Sequence, residues 1–373
     1  MRKFRFRPPV ANSICLDSIY REEFEIFGVS EFIDIRRSLY IIPLLKVLPV
    51  ALKSNNFDLK LVYLANCIIS SRASIVITGL DNSKSVWLLK ELADIYLVIF
   101  QNGFRSAHAS SIFSHRNILR GSADLLVLQG KYATELYSQF DIKKIVFMSL
   151  RMNLFLRNRE HIPGERKNPM AEKKILVLFQ MKPEERIMEY RNTGGGSVSA
   201  CDLNSYFIRL VYAIWLLYGS RYQIEVLGKS LSPTETCKER AMCQQLFGGY
   251  IGYSARADVY DTYDKIVNNN LVVALDSTML FELLGAGVRV GHFGGVREPI
   301  FGASAQFCGG EFGKEGVFWS STLRHERVKA VVDFCLYASE SEWFNATHSV
   351  VAKFSVTPEQ MAEAADELFG VLR

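Results

Sequence analysis

The sequence lacks the features that mark secreted and membrane-spanning proteins. Its seven cysteines are odd in number, scattered, and form no C-x-x-C pair, so neither a disulfide framework nor a zinc site is predicted. The longest apolar run, residues 40–52, is broken by Pro43, Lys46 and Pro49, and it falls short of the roughly 20 residues that cross a bilayer. The basic residues 1–9 lead into no apolar segment with a cleavage site. We therefore expect a cytoplasmic protein without a signal peptide.

Signals for metal, phosphate-loop and nucleic-acid binding are also missing. His108 and His115 are seven residues apart, and His292 stands alone after a strand-like run. We predict no metal site and no cofactor, and a structural role for His292, with substrate contact as the alternative. The glycines at 194–196 lack the Gly-Lys-Ser/Thr ending of a P-loop. No stripe of basic and aromatic residues is present and the net charge is only +5, so we do not expect a nucleic-acid binder.

The sequence does contain enough apolar residues for two hydrophobic cores. It has 373 residues, of which 49% are hydrophobic and 12% aromatic, and this favours a two-domain globular protein. Residues 157–174 hold two prolines and many charges, which is typical of a linker. We predict an N-terminal domain over 1–160, a C-terminal domain over 172–355, and a helix over 356–373 that packs back on the N-terminal domain.

From about Asp58 onwards, short β-branched runs alternate with helical stretches. This alternation predicts an α/β fold with mostly parallel sheets. The predicted strands are 74–78, 96–100, 124–128, 144–148, 174–179, 222–227 and 271–275. Helices are expected from a cap at Asn82 or Ser83 through Leu92, from Asp202 to Gly219, and from Pro358 to Leu372. Polar loops follow the strands of the N-terminal half, where ligands bind open α/β sheets.

The most informative segment is residues 271–290. A strand stops at Asp276, hydroxyl groups follow at Ser277 and Thr278, and a helix begins. These hydroxyls and the free amides of the first helical turn suit an anionic phosphate. Glu282 lies one turn after Thr278 on the same helix face, where its carboxylate can accept hydrogen bonds from ribose hydroxyls or orient the loop. The alternative is that Asp276 and Ser277 merely cap the helix.

Polar residues also follow two strands of the N-terminal half that should be neighbours. Asp81 and Asn82 come after the first of these strands. Gln101, Asn102 and Arg105 come after the second. We expect them to converge on the cleft between the domains, with Asp81 as a base or an acceptor ligand. The alternative is ordinary turn chemistry, because Asp-Asn and Asn-Gly are strong turn formers.

Several segments carry a resemblance to a known family. The residues Asp276-Ser277-Thr278, followed by Glu282 and Gly287, resemble the serine/threonine motif of bacterial surface-polysaccharide transferases, including those that use CMP-activated Kdo or sialic acid. Segments similar to landmarks of the surface carbohydrate biosynthesis proteins of O-antigen and capsule regions are 77–82, 100–105, 128–132, 148–153, 317–319 and 342–343. The resemblance extends from about residue 74 to residue 345.

The resemblance implies a metal-independent glycosyltransferase of the GT-B architecture, with two Rossmann-like, doubly wound domains facing a central cleft. It places a nucleotide-sugar donor in the C-terminal domain and a lipopolysaccharide or capsular glycan acceptor, free or lipid-linked, in the N-terminal domain. CMP-Kdo is the preferred donor. Related CMP-sugar enzymes carry a His-Pro motif where this chain reads Leu227-Gly228-Lys229-Ser230. Lys229 is therefore the residue expected to hold a phosphate there, as a point charge.

Alternatives remain for the catalytic carboxylate and for the activity. Asp202, close to the glycines at 194–196, is either a catalytic nucleophile of a retaining transfer or a helix cap. A noncatalytic nucleotide-sugar-binding scaffold and a CDP-polyol phosphotransferase are the competing functions. The net charge of +5 indicates either a basic surface exposed to solvent or a basic surface that contacts anionic lipid at the inner face of the cytoplasmic membrane.

Overall fold

Two α/β units make up the chain in this computed structural model. Unit 1 comprises Met1–Arg105, Ser110–Leu150 and Lys353–Arg373, and unit 2 comprises Ser106–Ala109 and Arg151–Ala352. The structure describes residues 3–17, 21–25, 27–35, 38–53, 58–81, 83–103, 122–147, 149–152, 173–181, 187–189, 197–267, 269–301, 305–356 and 358–372. The predicted domain boundary between 160 and 172 lies outside these residues.

Unit 1 contains a parallel six-stranded sheet. Its strands are β2 (Ser13–Leu16), β3 (Phe32–Ile33), β5 (Ile75–Thr78), β6 (Tyr96–Phe100), β7 (Leu125–Gln129) and β8 (Lys143–Phe147). Their order is β3-β2-β5-β6-β7-β8, so the chain reverses direction across the sheet between β2 and β5. Two further strands, β1 (Lys3–Arg5) and β4 (Ser38–Tyr40), pair in parallel outside this sheet. The helices of the unit up to its last strand are α1 (Arg21–Glu25), α2 (Ile41–Lys53), α3 (Leu59–Ser71), α4 (Lys84–Trp87) and α5 (Gly130–Leu136).

Both faces of this sheet are buried, because successive strand residues point to opposite sides. Leu97 and Ile99 face one apolar cluster, which includes α3. Val98 and Phe100 face a second cluster on the other side. The helix α3 forms where it does because the Asp58 side chain caps it, accepting the N–H groups of residues 60 and 61 at 3.1 Å each.

Unit 2 contains a parallel five-stranded sheet. Its strands are β9 (Lys174–Leu178), β12 (Gln223–Leu227), β13 (Gly252–Ser254), β14 (Leu271–Ala274) and β15 (Val290–His292), and β10 (Ile187–Glu189) pairs antiparallel with β11 (Ser197–Ser199) beside them. The order β13-β12-β9-β14-β15 reverses between β9 and β14. The helices are α6 (Ala200–Tyr218), α7 (Pro233–Phe247), α8 (Val259–Val267), α9 (Met279–Gly285), α10 (Glu298–Phe301), α11 (His325–Tyr337) and α12 (Glu340–Phe354).

The chain ends in a helix that belongs to unit 1. This helix, α13 (Pro358–Leu372), buries Ala364, Ala365 and Leu368 in the same apolar cluster as Phe100. An exposed ion pair of 2.6 Å joins Lys143 of β8 to Glu367. No helix within the described ranges is both long enough and apolar enough to cross a bilayer.

All seven predicted strands are present, and each end lies within one residue of its expected place. The α/β fold class is therefore confirmed. The helix expected to start at Asp202 begins instead at Ala200, because Ser199 caps it. The helix expected after Ser83 is broken at Leu88 into α4 and a 3₁₀ turn. The sequence pattern did not reveal β2 and β3, which lie before Asp58.

Gly130 is a position where the fold requires glycine. Its φ is +75°, and a Cβ there would lie 2.7 Å from the carbonyl oxygen of Lys353 and 2.7 Å from the Cα of Phe354. The Gly130→Ala variant should therefore lose about 2–4 kcal/mol of unfolding free energy, as left-handed strain and overpacking add. Urea denaturation measures this loss. The control is Gly370→Ala in α13, where no atom lies within 4 Å; equal losses in both variants would contradict the assignment.

Candidate functional site

The carboxyl ends of the five strands of unit 2 meet at one edge of the sheet. The loops that follow these ends carry Gln180, Lys229, Arg256, Asp276 and Arg297. Ligands of open α/β sheets bind at this edge, at the point where the strand order reverses. That point lies between β9 and β14. The loop after β14 carries the predicted donor residues, so the topology places them where such a ligand binds.

The Asp276 carboxylate is held from two sides. A guanidinium nitrogen of Arg297 donates to its two oxygens at 3.1 and 3.0 Å, and the side-chain amide of Gln180 donates at 2.6 Å. The Gln180 oxygen also accepts the N–H of Leu275 at 2.6 Å. The Arg297 side chain is 4% exposed and that of Asp276 is 40% exposed. Asp276 therefore fixes the loop, and Gln180 joins the ends of β9 and β14.

The hydroxyl groups of Ser277 and Thr278 do not cap the helix that follows. Thr278 is the N-cap of α9 with helical angles, φ −59° and ψ −27°, and its side chain accepts no hydrogen bond from the first turn. Neither hydroxyl has a partner among the residues that the structure describes. The alternative that Asp276 and Ser277 merely cap the helix is therefore wrong. Ser277 is half-buried and Thr278 exposed, so both can donate to a ligand.

Glu282 lies beside this pair of hydroxyls, one turn along α9. It is half-buried, and one of its carboxylate oxygens accepts the hydroxyl of Tyr263 at 2.7 Å. Tyr263 is a buried residue of α8. This hydrogen bond ties α8 to α9 and orients the carboxylate at the sheet edge.

The loop that carries Lys229 is occupied by a carboxylate of the protein itself. Glu239 of α7 accepts the backbone N–H of Lys229 at 2.9 Å and that of Ser230 at 3.1 Å. It also accepts the hydroxyl of Tyr253 at 2.9 Å, and burial together with this hydrogen bond raises the pKa of Tyr253. Glu239 thus takes the amides that a phosphate would use. Only the exposed side chain of Lys229 is left to meet a ligand.

Asp202 forms a reciprocal helix cap. Its carboxylate accepts the N–H of Ser199 at 3.3 Å and the Ser199 hydroxyl at 2.7 Å, and its own N–H donates back to that hydroxyl at 3.1 Å. This is a capping box, with Ser199 at the N-cap and Asp202 three residues on. The capping alternative therefore accounts for the geometry of Asp202, although the cap residue itself is Ser199.

His292 is buried at the end of β15. Its Nδ1 accepts the N–H of Gly294 at 3.3 Å, and its ring lies 5.9 Å from that of Phe281 and 5.2 Å from that of Phe307. Burial lowers the pKa of His292 to about 4, with the charge of Asp276 acting in the opposite direction. A neutral, enclosed imidazole supports the structural role.

In unit 1, Asp81 and Gln101 follow β5 and β6, which are hydrogen-bonded neighbours. Asp81 is buried. Gln101 joins two strand ends, since its oxygen accepts the N–H of Gln129 at 2.9 Å and its amide donates to the Gly103 carbonyl at 3.0 Å. Gln101 therefore ties the end of β6 to the end of β7.

The other predicted residues of this edge are only partly described. Asn102 follows Gln101 and is half-buried. Asn82 and Arg105 lie outside the described residues. The sequence pattern missed Asp17, which follows β2 on the other side of β5. Asp17 is 2% exposed with φ of 101°, a conformation that non-glycine residues rarely adopt. The short apolar run before Asp17 is the feature of the sequence that could have indicated a strand ending there.

No group of three or more His, Cys, Asp or Glu side chains is arranged to hold a metal ion within the part of the chain that the structure describes. The carboxylates of the unit 2 edge are engaged by separate partners. Asp276 faces Arg297, Glu282 faces Tyr263, and Glu239 faces backbone amides. This edge therefore combines two hydroxyls with fixed carboxylates and cationic side chains, a set that can bind a phosphorylated, hydroxyl-rich ligand.

Comparison with known proteins identifies relatives of the chain. A family model described as "putative O-antigen biosynthesis protein" matches residues 98–356. No curated protein sequence matches significantly. The wall teichoic acid polymerase TagF superposes with a TM-score of 0.55 at 9% identity, over 97% of this chain and 90% of that one. A structure from Listeria monocytogenes, described as "putative UDP-N-acetylglucosamine 2-epimerase", gives a TM-score of 0.55 at 13% identity, over 96% and 95%. These likenesses show the GT-B fold class with its two Rossmann-like units.

Protonation of His292 should destabilise the folded protein. Its folded pKa of about 4 lies below the unfolded value of roughly 6.5, so the unfolded state binds more protons between these values. The stability that depends on a neutral His292 is complete above pH 6.5 and is lost as the pH falls towards 4. Between pH 7.5 and pH 5 the loss should be roughly 2 kcal/mol.

Urea unfolding at both pH values, compared with the His292→Gln variant, isolates this contribution because all other groups are shared. The variant should lose less stability on acidification than the unsubstituted protein. Identical losses in the two proteins would show that the imidazole is not held neutral.

Proposed function

This chain belongs to the O-antigen biosynthesis protein family, and we propose that it is a glycosyltransferase of O-antigen assembly. One observation carries the proposal. The hydroxyls of Ser277 and Thr278 do not cap the helix that follows them. They lie at the carboxyl-terminal edge of the unit 2 sheet of a GT-B fold, next to the point where the strand order reverses. Glu282 lies one helical turn away. We propose that the nucleotide-sugar donor binds there as a substrate, without a cofactor.

The proposed chemistry moves a sugar from a phosphate to a hydroxyl. The acceptor hydroxyl attacks the anomeric carbon, the bond from that carbon to the donor phosphate breaks, and the acceptor proton passes to a carboxylate. Ser277 and Thr278 donate hydrogen bonds to the departing phosphate as its charge develops. Asp81 and Asp202 are the two candidate carboxylates. Asp81 follows a strand of unit 1 and is buried, and the carboxylate of Asp202 accepts a hydrogen bond from the Ser199 hydroxyl.

The finer proposal concerns the donor, for which we keep CMP-Kdo as the first choice. It rests on the likeness of residues 276–287 to the serine/threonine motif of the CMP-sugar enzymes. The loop 227–230 lacks the His-Pro motif of those enzymes and carries Lys229 instead. Metal independence is part of the same proposal.

Nucleotide binding tests the donor site. CMP, CDP, UDP and GDP are compared in a thermal-shift screen, since a ligand of the native state raises its apparent stability. CMP should give the largest shift. The double variant Ser277→Ala, Thr278→Ala should bind it about 10-fold more weakly, because two hydrogen bonds to a charged group are lost.

The double variant should melt, without ligand, at the temperature of the unsubstituted protein, because neither hydroxyl has a described partner. Ser138→Ala, at an exposed serine of unit 1, is the matched control and should not change CMP binding. A fall in the ligand-free melting temperature with unchanged CMP affinity would overturn the donor role. A shift with CDP alone and phosphate carried into the product would favour the polyol phosphotransferase. Nucleotide binding without donor turnover would favour the scaffold.

An exposed basic and aromatic strip supports a peripheral membrane contact, as expected for an enzyme with a lipid-linked acceptor. Phe4 and Phe6 are 70% and 65% exposed, and they alternate with Lys3, Arg5 and Arg7, which are also exposed. These three cations form no ion pair with any residue that the structure describes. Aromatic rings that enter the headgroup region and cations that face anionic lipid are the two contributions to interfacial binding.

The strip predicts binding to vesicles of phosphatidylglycerol and phosphatidylethanolamine. In a sedimentation assay the double variant Phe4→Ser, Phe6→Ser should bind about 10-fold more weakly, since the apolar contribution of two rings is lost. The matched control is Leu216→Ser with Phe344→Ser, at residues of unit 2 that are 70% and 66% exposed. Equal binding of the two double variants would exclude this surface. Binding should also weaken with salt.

A further inference from the structure

An arginine at the sheet edge of unit 2 has no role in the function proposed above. Arg256 follows β13 and is half-buried. One of its terminal nitrogens donates to the Thr262 hydroxyl over a long 3.4 Å. Its Nε is buried and has no hydrogen-bond partner among the described residues, and the side chain forms no ion pair within them. A guanidinium carries five N–H donors, and the described residues use few of those of Arg256.

A second positive charge lies near this guanidinium. Burial and the neighbouring Arg151 lower the pKa of Arg256, whereas Glu239 and nearby tyrosines raise it. Desolvation and the repulsion between two guanidinium groups both raise the free energy of the unliganded protein. Glu239 compensates only at a distance, since its oxygens accept the N–H groups of Lys229 and Ser230. A bound anion would relieve both costs.

The backbone around Arg256 is held on both sides. The N–H of Ala257 donates to the Asp261 carboxylate at 2.7 Å. The ammonium group of Lys265 donates to the carbonyl of Ala255 and pairs with Asp261 at 2.8 Å. Side chains of α8 therefore hold the residues before and after Arg256. Arg256 has little backbone freedom to lose when it binds a ligand.

Arg256 also lies on the same rim as the proposed donor residues. Tyr263 is within electrostatic reach of Arg256, and the Tyr263 hydroxyl donates to Glu282 at 2.7 Å. Glu282 in turn lies one turn from Thr278 on α9. Arg256 and the uncapped hydroxyls thus lie on either side of the hydrogen-bonded pair Tyr263 and Glu282.

We propose that Arg256, with Arg151 beside it, binds the phosphate of the donor nucleotide. This inference rests on the proposed function and names the group that receives the negative charge of the donor. The sequence pattern assigned this task to Lys229, but the amides of that loop are taken by Glu239. A guanidinium binds phosphate oxygens through two parallel hydrogen bonds, which a lysine cannot do. A carboxylate on the transferred sugar has the same chemistry, so the test separates the two.

The test compares nucleotides with nucleosides. The affinities of CMP, UDP and GDP, and of cytidine, uridine and guanosine, are measured by calorimetry for the unsubstituted protein and for Arg256→Gln. The variant should bind the nucleotides about 10- to 100-fold more weakly, because hydrogen bonds to a charged group are lost. Its affinity for nucleosides should not change. Arg256→Lys should lose an intermediate amount, since it keeps the charge and loses the fork.

Two further variants serve as comparisons. Arg240→Gln changes an exposed arginine of the same unit and should leave nucleotide affinity unchanged. Lys229→Gln should have a smaller effect than Arg256→Gln, and a larger effect would return the phosphate to Lys229 and overturn the proposal. Should Arg256→Gln fail to fold, Arg256→Lys decides by the same nucleotide-to-nucleoside ratio.

The outcomes separate this inference from the proposed function. If no nucleotide binds the unsubstituted protein, the proposed function fails and the inference fails with it. If nucleotides bind but Arg256→Gln changes nucleotide and nucleoside affinities equally, or changes neither, only the inference is overturned. If CMP binding is unchanged and only the binding of CMP-Kdo weakens, the arginine faces a sugar carboxylate and the phosphate assignment is wrong.

Discussion

The ion pair between Arg297 and Asp276 is the constraint on which the geometry of the unit 2 edge depends. Arg297 is almost wholly enclosed, so its charge requires the carboxylate, and loss of one partner from such a pair is costly. The carboxylate in turn aligns Gln180, which bonds to the backbone at the end of β14. The hydroxyls of Ser277 and Thr278 come directly after this fixed point. Their orientation towards a ligand therefore depends on a buried guanidinium 20 residues further along the chain.

The charges of this edge are divided between structural and unengaged groups. Asp276, Glu239 and Glu282 each accept hydrogen bonds from the protein, and these bonds hold loops and helices in place. Among the described residues, Arg256 has a single long hydrogen bond. Of the three carboxylates, Asp276 is paired with a cation, whereas Glu239 and Glu282 accept hydrogen bonds from neutral groups and keep their charge. The proposed anion site therefore depends on the position of Arg256 relative to these carboxylates.

Pattern-based reasoning worked where the signal was local. The β-branched runs at 96–100 and 174–178 are strands because both faces of a parallel sheet are buried, and such burial leaves a continuous apolar run. The helix from Pro358 to Leu372 begins where proline suits the first turn. The strand Ser13–Leu16 escaped notice because four residues carry too little periodicity to be distinguished from a loop.

The sequence by itself determined the α/β class, seven strands of the two sheets and the segment 276–282 as the candidate donor site, because these follow from local periodicity and from hydroxyls next to a strand end. It did not reveal β13 and β15 of the unit 2 sheet. Only the tertiary structure decided what each polar side chain does there. Asp202 caps a helix with Ser199, Glu239 fills the loop of Lys229, and the Nε of Arg256 has no hydrogen-bond partner among the described residues. The physical reason is that a polar group acts through its partner, and these partners come from other helices, strands and loops that folding alone brings together.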